Sequence, residues 1–369
     1  MVVGREMSCD SKRPYIPSLQ SLRAIAFLDI FLSHCELIPT ATIGVSLFLL
    51  LSGFLMAYQY QSRETGETGV LASARFAYRK IGKLYPLHIT AMLFVASVQV
   101  LILLKNGIKA GLLGHNIICI LLNALCLQSW IPSRKVYFSY NAVSWYLSTI
   151  IFSYFMFNIL WKRICDKNKT AIISTAVVAI SIMIIVSVVF QFLVLGGLFP
   201  ADVFHWVTYI NPLYRFGDFL IGLLLGLSLA KNPQISIRTL ERWKCTLLEI
   251  IVIFFIAVTI FLYSKDMIPA FIKFSLVWMP ISTITIVLLS IGTGGVKQAL
   301  AESKVFVFLG NISGECFLIH LIIVRILQRL THNKSLVAIF ALMFTIMISI
   351  TWRKGIRKNE ERKRHYRRQ

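Results

Sequence analysis

Eleven apolar stretches, each near the length of a membrane span, follow one another along the chain: 19–38, 42–60, 84–104, 112–130, 142–160, 171–195, 212–230, 246–263, 271–291, 306–328 and 335–352. A helix rises about 1.5 Å per residue, so about twenty apolar residues cross a hydrocarbon core of about 30 Å. Lipid offers the backbone no hydrogen-bond partner, so only helices and closed barrels span it. The stretches are continuous instead of alternating, which argues against an outer-membrane barrel. With 57% hydrophobic residues and a mean hydropathy of +0.74, an ordinary soluble globule is excluded as well. The chain reads as an all-α polytopic membrane protein.

The formal charge of +22 does not point to nucleic acid, because the cations collect in short connections. Arg63, Arg75, Arg79, Lys80 and Lys83 lie in 61–83. Lys162, Arg163, Lys167 and Lys169 lie in 161–169, and Lys231, Arg238, Arg242 and Lys244 in 231–245. The tail Arg353–Arg368 is the most basic of all. Cytoplasmic loops gather Lys and Arg in this way, so all four are expected inside. If 112–130 crossed the membrane, the first two would face opposite sides. That stretch carries His115, Asn116, Asn123 and Gln128 and is read as re-entrant or interfacial, which lipid tolerates only where protein or a water-filled cavity surrounds it. The expected topology is about ten transmembrane helices with both termini cytoplasmic. Residues 1–352 form a single transmembrane domain and 353–369 a basic cytoplasmic tail. Residues 1–17 are polar and carry no signal-peptide pattern. The seven cysteines, Cys9 the first, show no ligand spacing, so neither a metal site nor a disulfide is expected.

Arg23 and His34 share the first stretch, eleven positions apart. Eleven steps of about 100° make roughly three turns, so both side chains leave one helix face about 17 Å apart. Ionisable groups within a span are expensive, and function is their default reading. The bland alternatives are an Arg that snorkels to the interface and a core His bonded to a neighbouring helix. Asp29 is turned about 140° from His34 and is expected to meet a different neighbour. His320, inside the tenth stretch, also calls for a polar partner.

In order along the chain stand Arg23-x10-His34, Gly44-Val45-x-x-Phe48, Leu51-Ser52-Gly53-Phe54 and Phe76-Ala77-Tyr78-Arg79-Lys80-Ile81-Gly82-Lys83-Leu84-Tyr85-Pro86. After these come Gln128-Ser129-Trp130, Asn141, Trp145-Tyr146-Leu147-Ser148, Arg215 with Phe219-Leu220-Ile221-Gly222, and Phe317-Leu318-Ile319-His320. This ordered set resembles the acyltransferase-3 family of integral membrane acyltransferases, in its stand-alone form with a "WYLS" element. Three positions depart from the family pattern. Lys80 and Lys83 replace arginines, which keeps charge but loses the bidentate fork. His88 stands where an aromatic is common, and Ile150 where many members have Glu.

The resemblance implies transfer of an acyl group, acetyl from acetyl-CoA in the usual case, to a hydroxyl of an extracytoplasmic polysaccharide or lipid-linked glycan. It implies no permanently bound cofactor and a multi-pass protein of a bacterial inner membrane. With no hydrolase-like domain following the spans, direct acylation of the acceptor is expected. Arg23 and His34 become the catalytic pair, His34 either as base for the acceptor hydroxyl or as transient acyl carrier. Arg23, Arg79, Lys80 and Lys83 become candidates for the CoA phosphates. Trp145, Tyr146, Arg215 and His320 are the acceptor-side candidates. The expected partners are membrane lipids, acyl-CoA and the glycan. A transporter or flippase of a lipid-linked glycan is the competing class, since it too keeps intramembrane charge, although the internal repeat common in transporters is not found.

Overall fold

The computed structural model describes residues 15–60, 69–106, 110–231 and 240–366; Cys9, Arg63, Arg238 and Arg368 lie outside the described residues. Within them the chain forms helices and turns, with no strand. The first helices are α1 (Pro17–His34), α2 (Thr42–Tyr60), α3 (Val70–Ile81), α4 (Tyr85–Asn106), α5 (Ala110–Ala124), α6 (Arg134–Tyr137) and α7 (Trp145–Cys165). Next come α8 (Lys169–Leu195), α9 (Ala201–His205), α10 (Pro212–Lys231), α11 (Arg242–Ser264) and α12 (Ala270–Lys273). The chain closes with α13 (Trp278–Ile291), α14 (Gly295–Glu302), α15 (Lys304–Asn311), α16 (Ser313–Leu330) and α17 (Lys334–Tyr366).

Among the described residues, eight helices are long and apolar enough to cross a membrane, and nine if the bent pair α15–α16 counts as one span. Helix α1 has 18 residues but is not one of them. Gln20, Arg23, Asp29 and His34 dilute its apolarity. The stretch 306–328 is broken into α15 and α16 at an angle of 76°. There is no proline at the break; Ser313 Oγ donates instead to the Gly310 carbonyl at 2.8 Å. The stretch 112–130 yields α5, whose 15 residues reach only about 22 Å at helical rise, short of a hydrocarbon core. Its end is tied to the start of α4, with Tyr85 Oη donating to the Ala124 carbonyl at 2.7 Å. The chain then turns back, and Gln128 and Ser129 reach the start of α7. Helix α17 runs from Lys334 through to Tyr366. The connection 61–83 contains the amphipathic helix α3, which packs on α7 through Phe76 and Phe157, 5.8 Å between ring centres, and through Asn158 Nδ2 donating to Ser73 Oγ at 2.9 Å.

At the centre stands α2, with 83% of its spanning window buried. It meets α10 backbone to backbone. A Cβ on Gly53 would lie 2.0 Å from the Phe219 carbonyl oxygen, and one on Gly222 would lie 1.9 Å from that of Leu50. Small residues are how membrane helices approach this closely, because lipid supplies no hydrophobic drive to join them. At one end of the bundle Tyr15 Oη donates to Asn311 Oδ1 at 3.1 Å and Arg353 Nη1 to the Asn311 carbonyl at 2.6 Å, so the start of the described chain and α17 meet there. Lys231 Nζ donates to the Lys167 carbonyl at 2.7 Å on the same side. This is the basic end, and Arg23 lies toward it. His34 lies toward the opposite end.

Candidate functional site

Helix α1 stops at His34 because the chain closes a Schellman turn: Leu37 N–H bonds the Leu32 carbonyl at 3.0 Å and Glu36 N–H that of Ser33 at 2.9 Å, with Glu36 in the left-handed region at φ 57°. Asp29 faces away from His34, as its angle requires. Its carboxylate accepts from Gly44 N–H at 2.9 Å and from Thr40 Oγ1 at 3.1 Å, so it holds the entry to α2 against α1. The continuous helix places Arg23 and His34 on one face.

His34 meets His320 across the α1–α16 contact, with His34 Nδ1 3.1 Å from His320 Nε2. His320 is fully buried, boxed by Phe27, Phe31 and Phe317 with ring centres 5.8–6.1 Å away. Its Nδ1 lies 2.8 Å from the Phe317 carbonyl. The hydrogen-bond roles follow from elimination. A carbonyl only accepts, so His320 Nδ1 carries the proton and the neutral ring leaves Nε2 as an acceptor. His34 Nδ1 must then donate to it, and the lone pair of the neutral His34 ring is left on Nε2. The Ile30 carbonyl, one turn back, is a further hydrogen-bond neighbour of the His34 ring. His34 also borders a cavity of about 210 Å³ together with Trp145, Phe138, Tyr209, Phe317 and Arg325. The arrangement fixes the tautomer of one imidazole, at the edge of a cavity, by a second imidazole behind it. A His that moves a proton is ordinarily oriented by a carboxylate or carbonyl on its other nitrogen; here an imidazole takes that place.

Several motif residues hold this pair in place. Asn141 Nδ2 donates to the Leu318 carbonyl at 2.6 Å, next to the carbonyl that orients His320. Gln128 Nε2 donates to the Ser144 carbonyl at 3.0 Å, and Ser129 Oγ to that of Trp145 at 2.8 Å. The Gln-Ser-Trp element thus braces the start of α7 and sets Trp145 at the cavity wall. On the other side, Gln328 Nε2 donates to the His34 carbonyl at 3.2 Å.

Toward the basic end, the Arg23 guanidinium lies over the Phe48 ring at 5.8 Å, with Nε 3.5 Å from Ser313 Oγ. Tyr146 and Tyr154 lie within electrostatic reach of Arg23, and both hydroxyls lie beside Ser52. Phe48, Tyr146 and Phe317 form a triangle of rings 5.3–6.2 Å apart, and Phe317 continues to His320. Lys83 and Arg23 both act on Glu315 electrostatically, and Arg353 Nε lies 3.9 Å from the same carboxylate. A cavity of about 520 Å³ opens beside them, lined by Tyr15, Asn311, Arg353 and Lys354 among others.

The remaining candidates sit apart from this line. Arg79 and Lys80 are exposed on α3, and the Lys80 ammonium rests over Tyr60 at 4.5 Å and Phe76 at 5.2 Å. Arg215 has no accessible surface: it pairs with Asp218 at 3.2 Å, donates to Ser46 Oγ at 3.2 Å and to the Phe274 carbonyl at 3.4 Å. That group ties α10 to α2 and to the α12–α13 connection. Two residues at the site escape the sequence reading. Tyr154 looks like any aromatic within a span. Arg325, on the wall of the His34 cavity, looks like a snorkelling Arg near a helix end. The available signal was its position five residues after His320.

The family model described as "Acyltransferase domain" matches residues 16–352. A Streptomyces mycarofaciens protein named "Acyltransferase MdmB" is 27% identical over 234 residues, 58% of this chain and 57% of that protein. A Staphylococcus aureus (strain COL) protein named "Putative O-acetyltransferase" is 31% identical over 109 residues, 29% of this chain and 17% of that protein. The chain thus spans little more than half of the first relative and a sixth of the second. No solved structure matches. The match over nearly the whole membrane bundle, with His34 and His320 inside it, places the chain in the acyltransferase-3 family of integral membrane acyltransferases.

Proposed function

We propose that the protein transfers an acyl group, acetyl from acetyl-CoA, to a hydroxyl of an extracytoplasmic glycan, with His34 as general base. The observation that carries this reading is the His34–His320 contact of 3.1 Å, which leaves His34 Nε2 as the lone-pair nitrogen at the edge of a cavity. The basic end faces the cytoplasm, by the excess of Lys and Arg there, and acyl-CoA is a cytoplasmic compound. The bundle then crosses ten times, with α1 and the bent α15–α16 pair as spans and α5 as the non-crossing segment.

The CoA phosphates bind at this end. Arg23, Lys83 and Arg353 surround Glu315, Lys354 lines the adjoining cavity, and Arg79 and Lys80 add to the field from α3. Cation clusters hold phosphate through charge-assisted bonds. The pantetheine arm runs along the Arg23–His34 stripe past Tyr146 and brings the thioester carbonyl to the His34 cavity. Trp145 presents a ring face to the sugar there.

In the transfer itself, His34 Nε2 takes the hydroxyl proton as the sugar oxygen attacks the thioester carbon. The C–O bond forms, the tetrahedral intermediate collapses, and the C–S bond breaks. The CoA thiolate recovers the proton from His34, so the products are an O-acyl glycan and CoA-SH. During the step His34 is briefly an imidazolium, and His320 Nε2 accepts from its Nδ1. His320 is therefore a positioning residue and does not touch the reacting atoms.

The test compares surface glycans, by mass spectrometry and NMR, from cells carrying the wild-type protein or His34→Ala as the sole copy. The reading expects one O-acyl group to vanish while glycan abundance holds. Acylation kept with abundance lost would instead indicate export.

A further inference from the structure

A second cavity of about 300 Å³ lies between α4 and α16, and Asn141, Arg325 and Arg329 are among the residues lining it. It shares the Phe138, Leu321 and Arg325 walls with the His34 cavity. Three observations distinguish it from packing space. Arg325 and Arg329 are four residues apart, hence on one helix face, where like charges repel. No carboxylate lies within ion-pair distance of either among the described residues. Other cations toward the same end are matched: Lys334 pairs with Glu36 at 2.9 Å and Arg134 with Asp202 at 3.4 Å. Finally, Asn141 is only 1% exposed, yet its Oδ1 has no hydrogen-bond partner while its Nδ2 is committed to Leu318. A buried acceptor left unmade is costly unless something fills it.

We propose that the two cavities form one acceptor site, in which Arg325 and Arg329 hold an oxyanion of the glycan beside the hydroxyl presented to His34, while Asn141 Oδ1 accepts from a neighbouring sugar hydroxyl. The acceptor is thus an anionic saccharide. This rests on the acyl-transfer reading above. The oxyanion has two possible sources with the same chemistry, the phosphate of a lipid-linked or phosphorylated sugar and the carboxylate of an acidic sugar. An anion next to the acylated hydroxyl also sets position, since a two-arginine clamp fixes which hydroxyl of the ring reaches Nε2.

The experiment uses cells carrying the full chain as wild type, His34→Ala, Arg325→Gln/Arg329→Gln or Arg325→Lys/Arg329→Lys, with equal membrane levels and matching size-exclusion profiles in detergent as the check on folding. The readouts are O-acyl content and the structure of the acylated glycan by ¹H–¹³C and ¹H–³¹P NMR. The Gln pair should cut O-acylation roughly tenfold or more, as loss of charge-assisted contacts does, while the Lys pair keeps a substantial part of it. The acylated sugar, or its direct neighbour, should carry a phosphate or a carboxylate. A ³¹P correlation to that residue identifies phosphate; its absence together with a uronate carbonyl signal identifies carboxylate. O-acylation lost in His34→Ala but found on a neutral glycan, or unchanged in the Gln pair, overturns this inference alone. O-acylation intact in His34→Ala, or absent in wild type, overturns the acyl-transfer reading itself.

Discussion

Helices α8 and α11 are the most apolar spans of the chain, and only 11% of each spanning window is buried. Helix α2 is less apolar and buries 83% of its window. Helix α1, more polar than these spans, carries His34 on its last turn. The difference reverses the rule for soluble proteins. In lipid, apolarity marks the face turned to hydrocarbon, while small and polar residues mark helix-to-helix contact and the working interior. Glu249, about two turns into α11, fits the same logic. It is 3% exposed and accepts from Val296 N–H at 2.9 Å and Lys297 N–H at 3.2 Å, which ties the peripheral helix to the start of α14.

The contrast between centre and rim can be broken by substitution. The largest effect is expected at His34. His34→Ala should lower the rate of acyl transfer by about a thousandfold, within the range that a general base contributes. His320→Gln should lower kcat by roughly ten- to hundredfold and leave KM for the acceptor nearly unchanged, as loss of an orienting partner does. A matching rise in KM would mean that His320 touches the acceptor. Gly53→Val or Gly222→Val should cost about 1–3 kcal/mol or more by overpacking the α2–α10 contact, read as a lower melting midpoint in detergent. Asn141→Ala leaves the Leu318 carbonyl without its donor and should cost about 1–3 kcal/mol. At the rim, Phe254→Ala, at a side chain of α11 that is 63% exposed, should change stability by less than about 0.5 kcal/mol. A large loss there would mean that α11 packs against a further protein surface.

Much of this was legible in the residues. The apolar stretches mark the helices because the bilayer fixes their length, and the Arg23-x10-His34 spacing marks a common face because helical geometry does. The break between α15 and α16 was not legible: Gly310-Asn311-Ile312-Ser313 contains no proline, and the close approach of Gly310 to the Gln20 carbonyl beside it involves a helix distant in sequence. The pairing of His34 with His320, 286 residues apart, had only the cost of two intramembrane imidazoles as its signal. Arg215 sends the same signal. A charge in a span announces a partner, and here the partner is Asp218, three residues on. The unmatched arginines, Arg325 and Arg329, looked ordinary because an absent partner leaves no mark on the sequence.

The most direct test of the central claim uses sealed membrane vesicles holding the protein and its native glycan, with isotope-labelled acetyl-CoA supplied on the basic side. The account predicts label in the glycan with the wild-type protein and roughly a thousandfold slower incorporation with His34→Ala. Incorporation at the wild-type rate without that imidazole would contradict it.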